Sequence, residues 1–148
     1  MARQLITFQI ADKLLGVDIM AVREIRAWTP ATKIPHAPNY VRGVVNLRGT
    51  VLPVVDLSSR LGWGDTEASA RHVIIVLQIC NQLHGLIVDS VNDIVMIDET
   101  QMQSPPDLGD PQAPFFIEGL ATVDESMAMV LDLKSLALGS TMHLAEAA

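Results

Sequence analysis

Cysteine is almost absent from this chain. Cys80 is the one cysteine in 148 residues, so no internal disulfide can form, and a reducing cytoplasm fits. Aromatic residues are scarce at 4%, and charged residues make up only 18%. Basic residues are outnumbered by acidic ones, 10 to 17, for a formal net charge of −7. A phosphate-backbone footprint needs the opposite sign, which argues against nucleic acid as a partner. Long apolar runs are missing too. None approaches the ~20 residues of a membrane-spanning helix. The first apolar run, led by Arg3, stops at Asp12-Lys13, so no signal peptide is read.

The motifs of common chemistries are also missing. The histidines are His36, His72, His84 and His143; none forms an HxxxH pattern and no CxxC exists, so the spacing offers no metal site and no cofactor is expected. Ser58-Ser59 lacks the GxSxG elbow. Gly43 and Gly49 bracket an apolar strand without GK[ST] or GxGxxG to cradle a phosphate. Cys80 ends an apolar strand and reads as core, whereas His84 sits by a hairpin turn and reads as a surface residue. Asp56, Asp89 and Asp132 each end a strand and read as caps or exposed turn carboxylates. Met127 and Met129 share a strand face, suited to core or to an adaptable binding surface.

What the chain has is apolar content: 49% hydrophobic residues and a mean hydropathy of +0.32. A fold of this size buries roughly 68–70% of its unfolded surface, and such a composition hints at apolar surface kept for partners. The chain is organised around Arg42 to Leu57, read as strand, tight turn at Arg48-Gly49, strand. Pro53 cannot donate to a ladder, so the second strand needs an open flank or a bulge. Asp56 opens a short helix to Leu61, ended by Gly62 and Gly64. Before this unit, Gln4–Ala11 and Leu14–Ile19 alternate as a hairpin. The segment Met20–Trp28 is either helical or extended, and three prolines make Thr29–Asn39 irregular. After a polar linker, Trp63 to Ala70, comes another hairpin: a strand to Cys80, a turn at Asn81-Gln82, and a return from His84 to Asp89.

That return is a repeat. Phe8–Ile25 set against Leu77–Ile94, an offset of 69 (85 − 16), gives 6 identities in 18 positions, where unrelated sequence gives about one. Gly43–Ser59 against Gly119–Ser135, an offset of 76 (119 − 43), matches at Gly43/Gly119, Val54/Val130, Asp56/Asp132, Leu57/Leu133 and Ser59/Ser135. The second copy carries 7 extra residues (76 − 69), expected as an inserted proline-rich loop within Gln101–Pro114. Copies spanning 4–62 and 71–138, each with about four strand signals, point to an internal duplication of a small β-unit, either barrel or sandwich. Two such units packed together leave a groove between them. The copies differ in charge. Glu24 and Arg48 correspond to Asp93 and Asp124, so an ion pair between Glu24 and Arg48 is predicted in the first copy only.

The run Thr32–Gly49, with Gly16-Val17-Asp18-Ile19, Val22-Arg23-Glu24-Ile25 and Gly85–Ile94, resembles the CheW chemotaxis coupling family over about Gln4 to Ala137. Ser58 stands where an arginine is frequent in that family, and Trp63-Gly64 is less usual. The resemblance implies an all-β fold of two five-stranded SH3-like barrels with a few short helices. It implies a non-enzymatic, cytoplasmic adaptor recruited to membrane receptor arrays without inserting into the membrane. Its partners would be the regulatory domain of the histidine kinase CheA and the cytoplasmic hairpin tip of a chemoreceptor. The family's contact positions fall on Val22, Glu24, Gly43, Arg48, Gly49, Val91, Ile94 and Gly119, three of them glycines whose side chains would fill a docking groove. Close alternatives are an adaptor of pilus-based motility and the isolated regulatory module of a kinase; Met1 directly before the first strand favours the free-standing form. An enzyme with an unrecognised site is the third reading. Residues 139–148 are expected to form a flexible tail.

Overall fold

The computed structural model describes residues 2–67, 69–104, 116–123 and 125–136. Eleven strands and two one-turn helices follow in order: β1 (Ala2–Ile10), β2 (Lys13–Asp18), β3 (Val22–Ala27), β4 (Val41–Leu47), β5 (Thr50–Asp56), α1 (Leu57–Arg60), β6 (Val73–Ile79), β7 (Gln82–Val88), β8 (Ser90–Asp98), β9 (Met102–Gln103), β10 (Ile117–Val123), β11 (Ser126–Leu131) and α2 (Leu133–Leu136). No helix among the described residues is long and apolar enough to cross a membrane. Met20–Trp28, open between helix and strand in the sequence, is a 3-10 turn followed by β3. The turn is capped by Asp18, whose carboxylate accepts the Met20 N–H at 2.9 Å.

Two sheets form, ordered β8-β1-β2-β11-β10-β9 and β3-β6-β7-β5-β4. Each is an all-β SH3-like unit, and each takes its central hairpin from the other half of the chain. β1–β2 lies between β8 and β11; β6–β7 lies between β3 and β5. The sequence copies and the sheets are therefore different divisions of the chain. The registers repeat with the sequence offsets. Thr7 faces Gly16 and Val76 faces Gly85, 69 apart (76 − 7 and 85 − 16). Gly43 faces Val54 and Gly119 faces Val130, 76 apart. The chain leaving each sheet's edge strand turns back to the opposite edge. After β3, Thr32 bridges Val44; after β8, Gln103 of β9 pairs with Leu120. Those two pairings place two of the seven extra residues before Gln103 (103 − 32 is 71) and five after it (120 − 44 is 76). Pro105, Pro106, Pro111, Pro114, Asp124 and the tail lie outside the described residues.

Three apolar clusters follow from this topology. Leu47, Leu52, Val54, Ile74, Val76 and Ile87 fill one sheet's interior; Leu5, Ile97, Ala121 and Val130 fill the other's. The third and largest joins them. Ile6, Phe8, Ile10, Leu15 and Val17 of one hairpin meet Ile75, Leu77, Ile79, Leu86 and Val88 of the other. Covered on both faces, β6 reads as an almost continuous apolar run, whereas β1 keeps Thr7 and Gln9 among its apolar residues. Beside this core the guanidinium of Arg60 lies 4.5 Å from the ring centroids of both Tyr40 and Phe116. These two aromatics occupy equivalent places 76 apart (116 − 40), so one cation bridges both halves.

Pro53 sits where β5 has no second partner, because β7 pairs only from Val54 onward. Asp56 caps α1, accepting the Ser59 N–H at 3.5 Å. Its carboxylate is buried rather than exposed, and Arg42 Nη2 donates to it at 2.6 Å. Two expectations are reversed. Cys80 is exposed, because the turn falls one residue early, at Cys80-Asn81, both with positive φ of 51° and 66°. His84 is buried, 1% exposed. It occupies the place of Leu15 in the other hairpin (84 − 69), on a strand covered on both faces.

Burial pushes the His84 imidazole below its ordinary pKa, opposed by its contact with the Gln82 carbonyl. The unfolded chain takes up this proton near pH ~6.5, the folded chain only at lower pH. Between the two the unfolded state holds more protons, so stability falls as pH drops through that window. His84→Leu should flatten this part of the pH profile of the melting temperature; an unchanged slope between about pH 5 and 7 would reject the assignment. Phe8→Ala should cost about 3–5 kcal/mol. Both sheets should still unfold in one transition, since the lost contacts are common to both; two separated transitions in denaturant melts would contradict this.

Candidate functional site

Among the eight residues singled out in the sequence, Val22 and Val91, and Gly43 and Gly119, fall at equivalent places on the two sheets (91 − 22 is 69, 119 − 43 is 76). Val22, Glu24, Gly43, Arg48 and Gly49 belong to the β3–β6–β7–β5–β4 sheet; Val91, Ile94 and Gly119 belong to the other. Val22 and Val91 are 69 apart, and both pack against the shared core. Each lies beside a break in register, between Val22 and Glu24 on one sheet and opposite Ile6/Phe8 on the other. On the second sheet the buried Thr7 hydroxyl fills this break. It donates to the Asp93 carbonyl and accepts the Asp93 N–H, both at 3.1 Å. The equivalent residue on the first sheet is Val76 (76 − 7), which pairs with Glu24 through the ladder. An interior threonine where the other copy has valine was the sequence signal for this.

The β4–β5 turn places Arg48 and Gly49 at positive φ, 50° and 88°. Asn46 Oδ1 secures it by accepting the Gly49 N–H at 2.8 Å. From there Arg48 Nη2 donates to Glu24 Oε2 at 2.6 Å, the pairing predicted from the contrast between copies. Glu24 also accepts from Arg26 Nη1 at 2.8 Å. Arg26 was missed, though it lies two residues along the same strand face. Its equivalent in the second copy is Val95 (26 + 69), so the counterpart place on β8 carries Asp93 and an apolar residue.

Around these positions each sheet exposes apolar side chains at matching places. Ile25 and Val51 on one sheet correspond to Ile94 and Met127 on the other (94 − 25 and 127 − 51), and Met96 extends the second set. Ile94 is 60% and Met96 66% exposed. The glycines act differently from the sequence reading. Gly43 and Gly119 are buried. Gly43 has φ +143°, and a Cβ there would sit 2.3 Å from the Thr32 carbonyl oxygen. At Gly119 a Cβ would meet the Met102 side chain at 2.6 Å and the Gln103 carbonyl oxygen at 2.9 Å. What a side chain would strike is the returning segment that closes each sheet.

A Ser-His-Asp array occurs, with Ser69 Oγ 3.4 Å from His72 Nδ1 and His72 Nε2 3.3 Å from Asp89 Oδ1. Its bonds are structural. The Ser69 backbone N–H donates to the same Nδ1 at 3.1 Å, the Ser69 hydroxyl accepts the Arg71 N–H, and Asp89 accepts the Ala11 N–H at 2.7 Å. The array ties the linker to the first hairpin's turn.

Glu24 is held below the usual carboxylate range, first by its hydrogen bond from Arg26 and then by that from Arg48. A depressed acid contributes stability above its unfolded pKa and loses it as pH falls through the folded value. In a carboxyl NMR titration Arg26→Ala should raise the Glu24 midpoint more than Arg48→Ala does. Equal midpoints in both variants and the parent chain would show that neither guanidinium holds the acid.

Comparison with known proteins is consistent with this architecture. Residues 4–139 match the family model described as CheW-like domain. The chain is 47% identical over 133 residues to the chemotaxis protein CheW of Rhizobium meliloti, covering 90% of this chain and 86% of the relative. It is 28% identical over 144 residues to the chemotaxis protein CheW of Klebsiella aerogenes, covering 97% and 87%. The crystal structure of the scaffolding protein TtCheW from Thermoanaerobacter tengcongensis superposes with a TM-score of 0.81 at 36% identity, covering 90% of this chain and 86% of that one. With two exchanged SH3-like sheets, the sequence run through Arg48-Gly49 and these relatives in agreement, the chain belongs to the CheW family.

Proposed function

We propose that this chain is a non-enzymatic chemotaxis adaptor that holds the regulatory domain of a CheA-type histidine kinase beside the cytoplasmic hairpin tip of a chemoreceptor, in the cytoplasm at membrane receptor arrays. The observation that carries this reading is the pair of matching faces with unlike chemistry. One sheet carries the Glu24, Arg26 and Arg48 cluster, with exposed Ile25 at the alternate position of the same strand and exposed Val51 after the β4–β5 turn; the other carries exposed Ile94, Met96 and Met127. Two faces at equivalent places on one rigid core suit two different partners. The apolar face fits a barrel-to-barrel contact with the kinase module. The seam near Val22 and Val91 fits a receptor helix laid in by its apolar stripe. Val22, Glu24, Arg48, Gly49, Val91 and Ile94 would be the contact residues, while Gly43 and Gly119 would shape the faces from beneath.

Capture assays with purified kinase and a receptor cytoplasmic fragment test the assignment. Arg48→Ala should weaken capture of one partner by roughly tenfold, about 1.4 kcal/mol, with an unchanged melting temperature; Ile94→Asp should do the same for the other. Gly119→Glu is a poor probe, since the side chain would displace β9. Undiminished capture of both partners by both variants would remove the site assignment.

A further inference from the structure

Glu24 is held from two sides by guanidiniums of unequal freedom. Arg26 Nη1 donates to Oε1 at 2.8 Å, and Arg48 Nη2 donates to Oε2 at 2.6 Å. Arg26 is part of β3, where its backbone pairs with Ile74. It also lines a small cavity of about 20 Å³ with Leu52, Ile74 and Val76 of the sheet interior. Packing of this kind anchors the methylenes of a long basic side chain and leaves its head group at the surface. Arg48 is carried on the β4–β5 turn instead. Its side chain is 74% exposed, against 36% for Arg26 and 22% for Glu24.

Two guanidiniums and one carboxylate leave this cluster one surplus positive charge, in a chain of net charge −7. Arg23, the other arginine of β3, donates elsewhere, to Gln78 Oε1 and the Met20 carbonyl. In the second copy the matching places hold Asp93, Val95 and Asp124, so the surplus belongs to the first copy only. A guanidinium and a carboxylate pair most strongly as a fork, with two parallel N–H···O bonds. Arg26 occupies the oxygen that such a fork between Glu24 and Arg48 would need. Arg48 has five N–H donors, and its exposure leaves the rest of the fork facing water.

We propose that Arg26 is a positioning residue of the docking surface: by occupying Glu24 Oε1 it keeps Arg48 on a one-oxygen hold, with its other N–H groups presented to a carboxylate of the partner. The inference rests on the reading of Arg48 as a partner contact and adds the chemistry of what Arg48 meets, an aspartate or glutamate side chain. Without Arg26, both oxygens of Glu24 are open to Arg48. The fork would close on Glu24, and the charge of the cluster would fall from +1 to 0. Both changes oppose an approaching acid, one by withdrawing donors and the other by removing attraction.

The test uses the full-length chain and two readouts. The first needs no partner. Nitrogen-15 spectra of the Arg48 guanidinium report rotation about its Nε–Cζ bond, which is slow in a carboxylate fork and fast on a one-oxygen hold. Arg26→Ala should slow this rotation several times, whereas Arg26→Lys, which still donates to Oε1, should leave it near the parent rate. Unchanged rotation in Arg26→Ala overturns the positioning role. The second readout is capture by the purified kinase and by the receptor fragment, with melting temperatures as the control for folding. Arg26→Ala should weaken capture of the partner that Arg48→Ala affects by roughly three- to fivefold, the range of an exposed ion pair. It should add nothing to the loss already caused by Arg48→Ala. Additive losses would make Arg26 a contact in its own right and overturn the positioning role. Arg48→Glu should weaken capture well beyond Arg48→Ala, because an acid then faces an acid; equal losses would overturn the carboxylate. Should rotation respond while Arg48→Ala captures both partners fully, the reading of Arg48 as a contact falls and the carboxylate with it, whereas the hold of Arg26 on Glu24 stands.

Discussion

The structure depends on one constraint: neither half of the chain can bury its first hairpin alone. Ile6, Phe8 and Ile10 project from one face of β1, and Ile75, Leu77 and Ile79 project from the equivalent face of β6. Both sets are buried in one cluster that draws on both halves of the chain. At ~25 cal/mol per Å² of apolar surface removed from water, leaving either face exposed costs several kcal/mol per pair of large residues. Hairpin exchange puts both faces against each other at the centre of the molecule. The two sheets are consequently parts of one core, with Arg60 between Tyr40 and Phe116 as a further tie. For an adaptor this has a direct use, because two surfaces carried on one packed core keep a fixed relative position.

With the backbone repeated, the differences between equivalent residues become informative. Thr7 and Val76 stand at the same break in register, one supplying hydrogen bonds through a hydroxyl and the other through the ladder. Leu15 and His84 occupy the same place in the shared core, one neutral at any pH and the other only above its folded pKa. Arg60 and Leu136 (136 − 60 is 76) end equivalent helices, the first lying over the Tyr40 and Phe116 rings and the second buried in the shared core. Glu24, Arg26 and Arg48 become Asp93 and Val95 with Asp124. The interior pairs change how the frame is held, and the surface set changes what it presents.

Much of this was legible in the sequence, and the failures have physical reasons. The duplication, the Arg48-Gly49 turn, the capping role of Asp56 and the Glu24–Arg48 pair all follow from local chemistry or from comparing the copies. Hairpin exchange could not be read, because strand pairing across 31 or more residues (85 − 54 for Val54 and Gly85) leaves no local trace. The errors at Cys80 and His84 share one cause: the turn falls one residue early, so the strand before it ends at Ile79 and the strand after it begins at Gln82. Once Cys80 enters the turn it is exposed, and His84 falls inside a strand buried on both faces. The glycines were legible as special, but their neighbours were not. The segments that approach Gly43 and Gly119 arrive from Thr32 and Met102, far enough along the chain that only closure of the sheets brings them there.

The divergence of the two faces bears on how one chain can order two partners. Had both copies kept the Glu24–Arg26–Arg48 set, both faces would have offered the same polar pattern and the same partner could have occupied each. Discrimination needs a repulsive element as well as an attractive one. An acidic partner that would pair with Arg48 meets on the second sheet Asp93 in the place of Glu24 and Val95 in the place of Arg26, with exposed Ile94 and Met96 on the same strand. A partner that docks by apolar surface must desolvate the Glu24 carboxylate and two guanidiniums if it approaches the wrong sheet, a cost that well-matched apolar contact does not offset. On the proposed assignment each face would exclude the other's partner by a different physical term, and the shared core would turn that exclusion into a fixed arrangement.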